Sequence, residues 1–227
     1  MYLEIFDVEH GACALITTSN GKRVMIDCGH NATTRWKPGN ALRRHNITYL
    51  DGLCVTNYDE DHVSGYPNLA ESVFIGTLFR NPSVQPSTIR QLKSEDGMGV
   101  GIERLIWSIV NVFTGRPPGI QDFGDTSFSL YWNSYGVVPG YFDDENNLSL
   151  VVFVRCGQHK FIFPGDMERA GWLALLRNPA FVRELRGVNV FVASHHGREN
   201  GYSEEVLNLC PGIEVVIISD KKMGYQS

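Results

Sequence analysis

The chain has 227 residues, 20 Lys and Arg against 25 Asp and Glu, and a formal charge of −5. At 43% hydrophobic and 20% charged it has a globular make-up, which excludes disorder and fibrous repeats. No run approaches the roughly 18 apolar residues of a membrane span, Met1-Tyr2-Leu3-Glu4 lacks the basic start of a signal peptide, and net acidity does not point to nucleic-acid binding. At about 100–200 residues per domain the length predicts one domain, or two small ones, with a substantial core.

In chain order, residues 3–8, 12–18 and 23–27 read as short strands, with Asn20-Gly21 as the hairpin turn between the second and third. Residues 31–45 are polar and basic (Arg35, Lys37, Arg43, Arg44, His45) and read as a loop running into a helix. Residues 50–56 are apolar, as in a strand buried on both faces, and end in Asn57-Tyr58-Asp59-Glu60-Asp61-His62. From 80 to 125, Pro82, Pro86, Pro117, Pro118 and several glycines mark loops. Apolar residues at 102, 105, 106, 109, 110 and 113 follow the helical period and predict a core-packed helix. Strands are expected at 127–132, 148–155 and 160–163, then a helix over 167–177, a strand over 188–193, a helix over 203–209 and a strand over 214–219. Strands followed by alternating strand and helix predict packed sheets with helices outside. The five cysteines (Cys13, Cys28, Cys54, Cys156, Cys210) are spread, form no CxxC and lie mostly in apolar runs. They read as buried thiols of a reducing cytoplasm, not as disulfides or a zinc knot.

The unusual residues sit at strand ends. Asp27, then Asp59, Asp61 and His62, then Asp166, then His195 and His196 each follow an apolar strand. There a sheet fixes the backbone while the loop faces solvent. The spacing Asp59-x-Asp61-His62 lets both carboxylates point the same way from an extended segment, with the imidazole beside them. Such donors suit a divalent cation, and two such groups can hold two. The plainer alternatives are that Asp61 caps a helix starting at His62 and that the histidine pair is an ordinary surface feature. Order favours the site: a DxDH, a Gly-Asp and a His-His-Gly each end a different strand.

With their flanks, these motifs resemble the metallo-β-lactamase superfamily and, within it, the soluble hydrolase domain of ComEC-type DNA-uptake proteins. Phe6-Asp7-Val8-Glu9-His10-Gly11-Ala12 is similar to that group's DVGQGD stretch, and Val24-Met25-Ile26-Asp27-Cys28-Gly29 to its LIDxG. Thr56 to Gly65 stands where the superfamily has THxHxDHxxG, Asn146-Asn147-Leu148-Ser149-Leu150-Val151 resembles NxxSLV, Phe163-Pro164-Gly165-Asp166 the TGD, and Ser194-His195-His196-Gly197 the HHG. The resemblance implies an α+β fold, a four-layer αββα sandwich of the metallo-β-lactamase type spanning 1–227, with the site in a cleft along one edge of the sheets. It assigns Asp61, His62 and His195 to one metal, Asp166 as a bridge and Asp59 to a second metal, and leaves His196 to donate to a substrate oxygen.

The departures bear on the second metal. Asn57 and Asp59 stand where the superfamily has its first two histidines, the latter change being shared with ComEC-like domains. The region expected to supply another histidine offers only Glu145, Asn146 and Asn147. A position built from Asp59, Asp166 and an amide, Asn57 or Asn146, would prefer Mn²⁺ or Mg²⁺ to Zn²⁺, or stay empty. Asp27 is expected to support the site by accepting a ligand's hydrogen bond. In the opening loop His10 replaces the group's Gln and Ala12 its Asp.

GxSxG, a cysteine beside a histidine, and Walker or Rossmann loops are absent from the sequence. The expected function is therefore a metal-dependent hydrolase with one or two divalent ions (Zn or Mn, with Mg as a further option). Metal-activated water would attack an ester, phosphodiester foremost. Asp61 would orient the water or take its proton, and His196 would stabilise the developing charge. The resemblance implies a nuclease-like phosphodiesterase acting on nucleic acid or a nucleotide. Arg35, Lys37, Arg43 and Arg44 around Trp36 are the candidate contacts, against the plainer reading of a solvated loop. The competing function is a degenerate member that binds a ligand or partner without turnover, motivated by Asn57 and the missing middle histidine. β-Lactam or thioester hydrolysis ranks third, because the zinc histidines are incomplete. ComEC-like domains continue with another strand and helix, so the end at Gly224-Tyr225-Gln226-Ser227 reads as a truncation. The start at Met1 reads as that of a free-standing cytoplasmic relative, with no membrane and no assigned protein partner.

Overall fold

In the computed structural model, which describes residues 1–94, 97–115, 122–136 and 138–220, the side-chain alternation of the strands decides the layering. The first half runs β1 (Tyr2–Ile5), β2 (Ala14–Thr17), β3 (Arg23–Ile26), α1 (Pro38–Arg44), β4 (Tyr49–Leu50), β5 (Gly52–Cys54), α2 (Glu60–Val63), α3 (Tyr66–Ser72), β6 (Phe74–Ile75), β7 (Leu78–Phe79), α4 (Pro86–Leu92) and α5 (Val100–Asn111). The second half runs β8 (Thr126–Trp132), β9 (Leu150–Cys156), β10 (His159–Phe163), α6 (Arg169–Leu175), α7 (Pro179–Leu185), β11 (Val190–Val192), α8 (Glu204–Asn208) and β12 (Val215–Ile217).

Two five-stranded sheets form, ordered β1-β2-β3-β5-β7 and β12-β11-β10-β9-β8. Ala14, Ile16, Val24, Ile26 and Cys54 of the first pack with Leu150, Val152, Val154 and Phe163 of the second, which makes the layer between the sheets. The alternate residues point away from that layer. Leu15, Met25 and Leu53 join Leu42, Leu69, Leu105 and Ile106 from α1, α3 and α5. Val151, Phe153 and Ile162 join Trp172, Phe181 and Val206 from α6, α7 and α8. The result is the four-layer αββα arrangement of an α+β fold. Each large aliphatic side chain so withdrawn from water contributes about 1.5–3 kcal/mol.

Each sheet combines antiparallel hairpins with parallel crossovers. In the first, β1-β2-β3 is antiparallel while β3, β5 and β7 are parallel. In the second, β8-β9-β10 is antiparallel while β10, β11 and β12 are parallel. Parallel strands present their carboxyl ends at one edge, where crevices form. Asp27, the segment 57–62, Asp166, the His195-His196 pair and Ser219 all follow such ends.

Several expectations are corrected. The strand expected over 50–56 is broken at Asp51, whose carboxylate accepts the Arg23 N–H at 2.8 Å and pairs with Lys22. Its first part, β4, pairs with β6 in a separate two-stranded sheet. Asp61 caps no helix: Asp59 holds the N-cap position of α2, and Asp61 lies in the first turn. Pro86 opens α4 instead of marking a loop, since a helix's first turn needs no N–H there. The helix expected over 167–177 is shorter, and α7 follows it after Asn178, whose side chain accepts the Ala180 N–H at 2.9 Å. Pro117, Pro118 and residues 221–227 lie outside the described residues. Among the described residues no helix is long and apolar enough to cross a membrane.

Candidate metal centre

Three loops from the two sheets meet over the inter-sheet layer. After β5, Asn57 and Tyr58 lead into α2, which carries Asp61 and His62. After β10, Gly165, at φ 59°, turns the chain so that Asp166 faces them. After β11, His195 and His196 both adopt left-handed backbone angles, φ 49° and 56°. With this winding it is His196, and not the His195 that follows the strand directly after Ser194, that enters the cluster. The opening loop approaches so closely that a Cβ on Gly11, at φ 140°, would lie 2.5 Å from the Asp61 carbonyl oxygen.

Asp61, His62, Asp166 and His196 each bring one donor atom to a single cluster in which all four lie within 4.8 Å of one another. His62 Nε2 is 3.0 Å from Asp166 Oδ1, and His196 Nε2 is 3.0 Å from Asp61 Oδ2 and 3.5 Å from Asp166 Oδ1. A tetrahedral cation with bonds of about 2.1 Å separates its ligands by about 3.4 Å, close to the 3.0, 3.0 and 3.5 Å separations here. Two imidazoles and two carboxylates suit zinc and also manganese.

The protonation pattern agrees. His196 Nδ1 faces the Ser219 carbonyl at 2.9 Å, which can only accept, so Nδ1 carries the proton. Nε2 then faces the Asp61 and Asp166 carboxylates, at 3.0 and 3.5 Å, inside the buried cluster. Only a proton or a cation makes that arrangement favourable. On His62, Nδ1 meets Asp27 Oδ2 at 3.0 Å, which leaves Nε2 for the cluster. Asp27, itself buried at φ 55°, also accepts the Thr56 N–H at 2.7 Å and the Thr56 hydroxyl. Burial opposes charge on every group here, yet the imidazoles hold Asp166 well below the usual carboxylate range and lower Asp61. In return, the carboxylates raise His62 and bring His196 to about 9.

The other expected residues lie at or beyond the edge. His195 Nε2 is 4.0 Å from Asp166 and faces the Arg198 guanidinium at 3.3 Å; arginine can only donate, so that lone pair is engaged. Asp59 accepts from the Lys93 ammonium, which also donates to Glu145 Oε1 at 2.7 Å. Burial raises the Asp59 pKa despite Lys93. Asn57, wholly buried, donates to Asn146 Oδ1 at 3.0 Å and accepts the Asp59 N–H at 2.9 Å. Asn146 donates to Glu168 Oε1 at 3.1 Å.

Residues with no metal-site role among the expectations complete the mouth, His10 of the opening motif among them. His10 lies 3.4 Å from Asp61, and its ring, tilted by 47° to that of His196, has its centroid 4.2 Å from the His196 centroid. It is held between Asp220, at 2.8 Å, and Arg198, at 3.1 Å. Trp36 packs on Phe6 at 4.8 Å, and Asn31 donates to the Asp7 carbonyl at 3.1 Å, so the basic segment adjoins the opening loop. Arg198 had one signal in the sequence, its place two residues after the histidine pair; Lys93 had none.

No known protein-family model matches the sequence, and no curated protein does. Similar solved structures include human tRNase Z, short form, at 11% identity over 98% of this chain and 93% of that one, TM-score 0.48. A motif variant of the Cronobacter sakazakii metallo-β-lactamase is 12% identical over 83% and 75%, TM-score 0.48. The MIM-2 metallo-β-lactamase is 16% identical over 89% and 75%, TM-score 0.47. These three neighbours are metallo-β-lactamase superfamily structures, and none of them is a ComEC-type protein.

Proposed function

We propose that this chain, read as one unit over 1–227, is a metal-dependent hydrolase of phosphodiester bonds, with a divalent cation held by Asp61, His62, Asp166 and His196. The observation that carries the reading is the convergence of the buried His196 Nε2 with two carboxylates and a second imidazole. Such a cation would supply a water acidified towards a pKa of about 7 and positive charge for a substrate oxygen. Asp61, whose side chain is 23% exposed and the most open of the four, orients the nucleophile at the mouth and takes its proton. Asp27 fixes the His62 ring through Nδ1. His196 is a ligand in this reading and His195 is not. The anion-stabilising task expected of His196 passes to Arg198, a planar fork of donors at the mouth, which His10 and His195 hold in place.

A nucleic-acid or nucleotide substrate is supported by Arg198 and by the basic segment beside the opening loop. The narrower ComEC-type likeness rests on the opening-loop, LIDxG-like and NxxSLV-like motifs. Hydrolysis of bis(p-nitrophenyl) phosphate by zinc- or manganese-loaded protein tests the activity. Asp61→Ala and Asp166→Ala are each expected to lose at least about 100-fold in kcat/KM while keeping their far-UV circular dichroism. Full activity in both variants contradicts the proposal. A second reading, ligand binding without turnover, is favoured by the hydrogen bond that Asn57 donates to Asn146 Oδ1, which ties up amides on the Asp59 side. One bound ion with no phosphodiesterase activity would select it.

A further inference from the structure

Asp59 and Asp61 leave the same short segment, yet their carboxylates meet different partners. Asp61 enters the cluster with His62, Asp166 and His196. On the Asp59 side the corresponding oxygen atoms are already engaged. Asp59 Oδ1 and Glu145 Oε1 both accept from Lys93 Nζ, Asn57 Oδ1 accepts the Asp59 N–H, and Asn146 Oδ1 accepts from Asn57. Lys93, at the C-terminal end of α4, is 3% exposed, and an ammonium held at this depth by two carboxylates is a fixed positive charge. It carries three donors and no acceptor, so it neutralises the carboxylates and cannot itself ligate a metal.

We propose that the Lys93 ammonium fills the place of a second cation, so that the protein takes a single divalent ion, at Asp61, His62, Asp166 and His196, and Asp59 positions Lys93 without binding metal. The inference rests on the metal-centre reading above and sharpens it, because a one-ion centre with a built-in monovalent charge needs no imidazole where Asn57 and Asn146 stand.

The test is ion stoichiometry in the full chain, by equilibrium dialysis against Mn²⁺ or Zn²⁺ and elemental analysis. Wild type and Asp59→Asn are each expected to hold one ion, with dissociation constants within about threefold of each other. Lys93→Met, which frees two carboxylates, is expected to take up a second Mn²⁺, visible also in the manganese electron paramagnetic resonance spectrum. Two ions in wild type, loss of an ion in Asp59→Asn, or a folded Lys93→Met that still holds one would each overturn the inference. If Lys93→Met does not fold, the wild-type and Asp59→Asn counts decide. Zero ions in wild type overturns the metal-centre reading and this inference with it, whereas two ions overturns this inference alone.

Discussion

His196 is an imidazole that its surroundings oblige to be either protonated or ligated. Burial works against its charge, but Asp166 and Asp61 outweigh that and move its pKa from 6.5 to about 9. His62 is raised in the same way by Asp166 and Asp27. A group with a higher pKa folded than unfolded lends its full stabilisation below the unfolded value and loses it as pH climbs through the folded one. Metal-free protein should therefore lose stability to urea between about pH 6.5 and about pH 9, and metal-loaded protein should not. Loading must displace the Nε2 proton from each ring, so calorimetry in buffers of differing ionisation enthalpy should count about two protons released per ion at pH 7. A pH-independent affinity with no proton release would contradict this account of the two rings. At this scale most of the cluster was visible in the sequence, because Asp61, His62 and Asp166 lie in polar segments that end apolar runs. The choice between His195 and His196 was not visible, since it depends on two consecutive left-handed residues that no pattern announces. Lys93 was hidden for another reason: its partners Asp59 and Glu145 are 34 and 52 residues away.

The elements place these residues through tight backbone approaches. Gly11 packs against the Asp61 carbonyl with φ at 140°, a conformation closed to side chains, and no space is left for a methyl group. Gly11→Ala should push the opening loop and the start of α2 apart, lowering metal affinity by at least about tenfold by chelator competition. Gly21→Ala, strained at φ 79° but with open space around it, should leave affinity unchanged while costing about 1 kcal/mol in urea. Equal metal affinities in the two variants would deny the opening loop any part in the centre. Long elements were legible: α5 shows three turns of apolar period, and its N-terminus is held by Glu60, whose carboxylate accepts the Gly101 and Ile102 N–H groups. The helices α3, α4 and α7 were not, because each has seven residues, too few for the period to emerge, and each carries a proline in its first turn that reads as a loop.

Across the whole molecule, the ligands come from both sheets: Asp61 and His62 follow β5, while Asp166 and His196 follow β10 and β11. An ion there adds a link between the two halves, beside the inter-sheet packing and hydrogen bonds such as that from the Leu150 N–H to the Thr56 carbonyl at 2.7 Å, so binding should appear as global stability. At free metal about 1,000 times its dissociation constant, unfolding should cost about 4 kcal/mol more than in chelator, with the same denaturant slope. Packed sheets with outer helices were readable from the order of strands and helices, but the pairing of β4 with β6 and the break at Asp51 were not, because a buried aspartate within an apolar run gives no sign of its partners. The central claim is that four side chains from two sheets form one cation site. The anomalous scattering map of crystals of the zinc-loaded protein tests it most directly. One peak should lie about 2.0–2.2 Å from His62 Nε2, His196 Nε2 and carboxylate oxygens of Asp61 and Asp166. No peak there in loaded protein, or a peak bound by His195 and Asp59 instead, would contradict it.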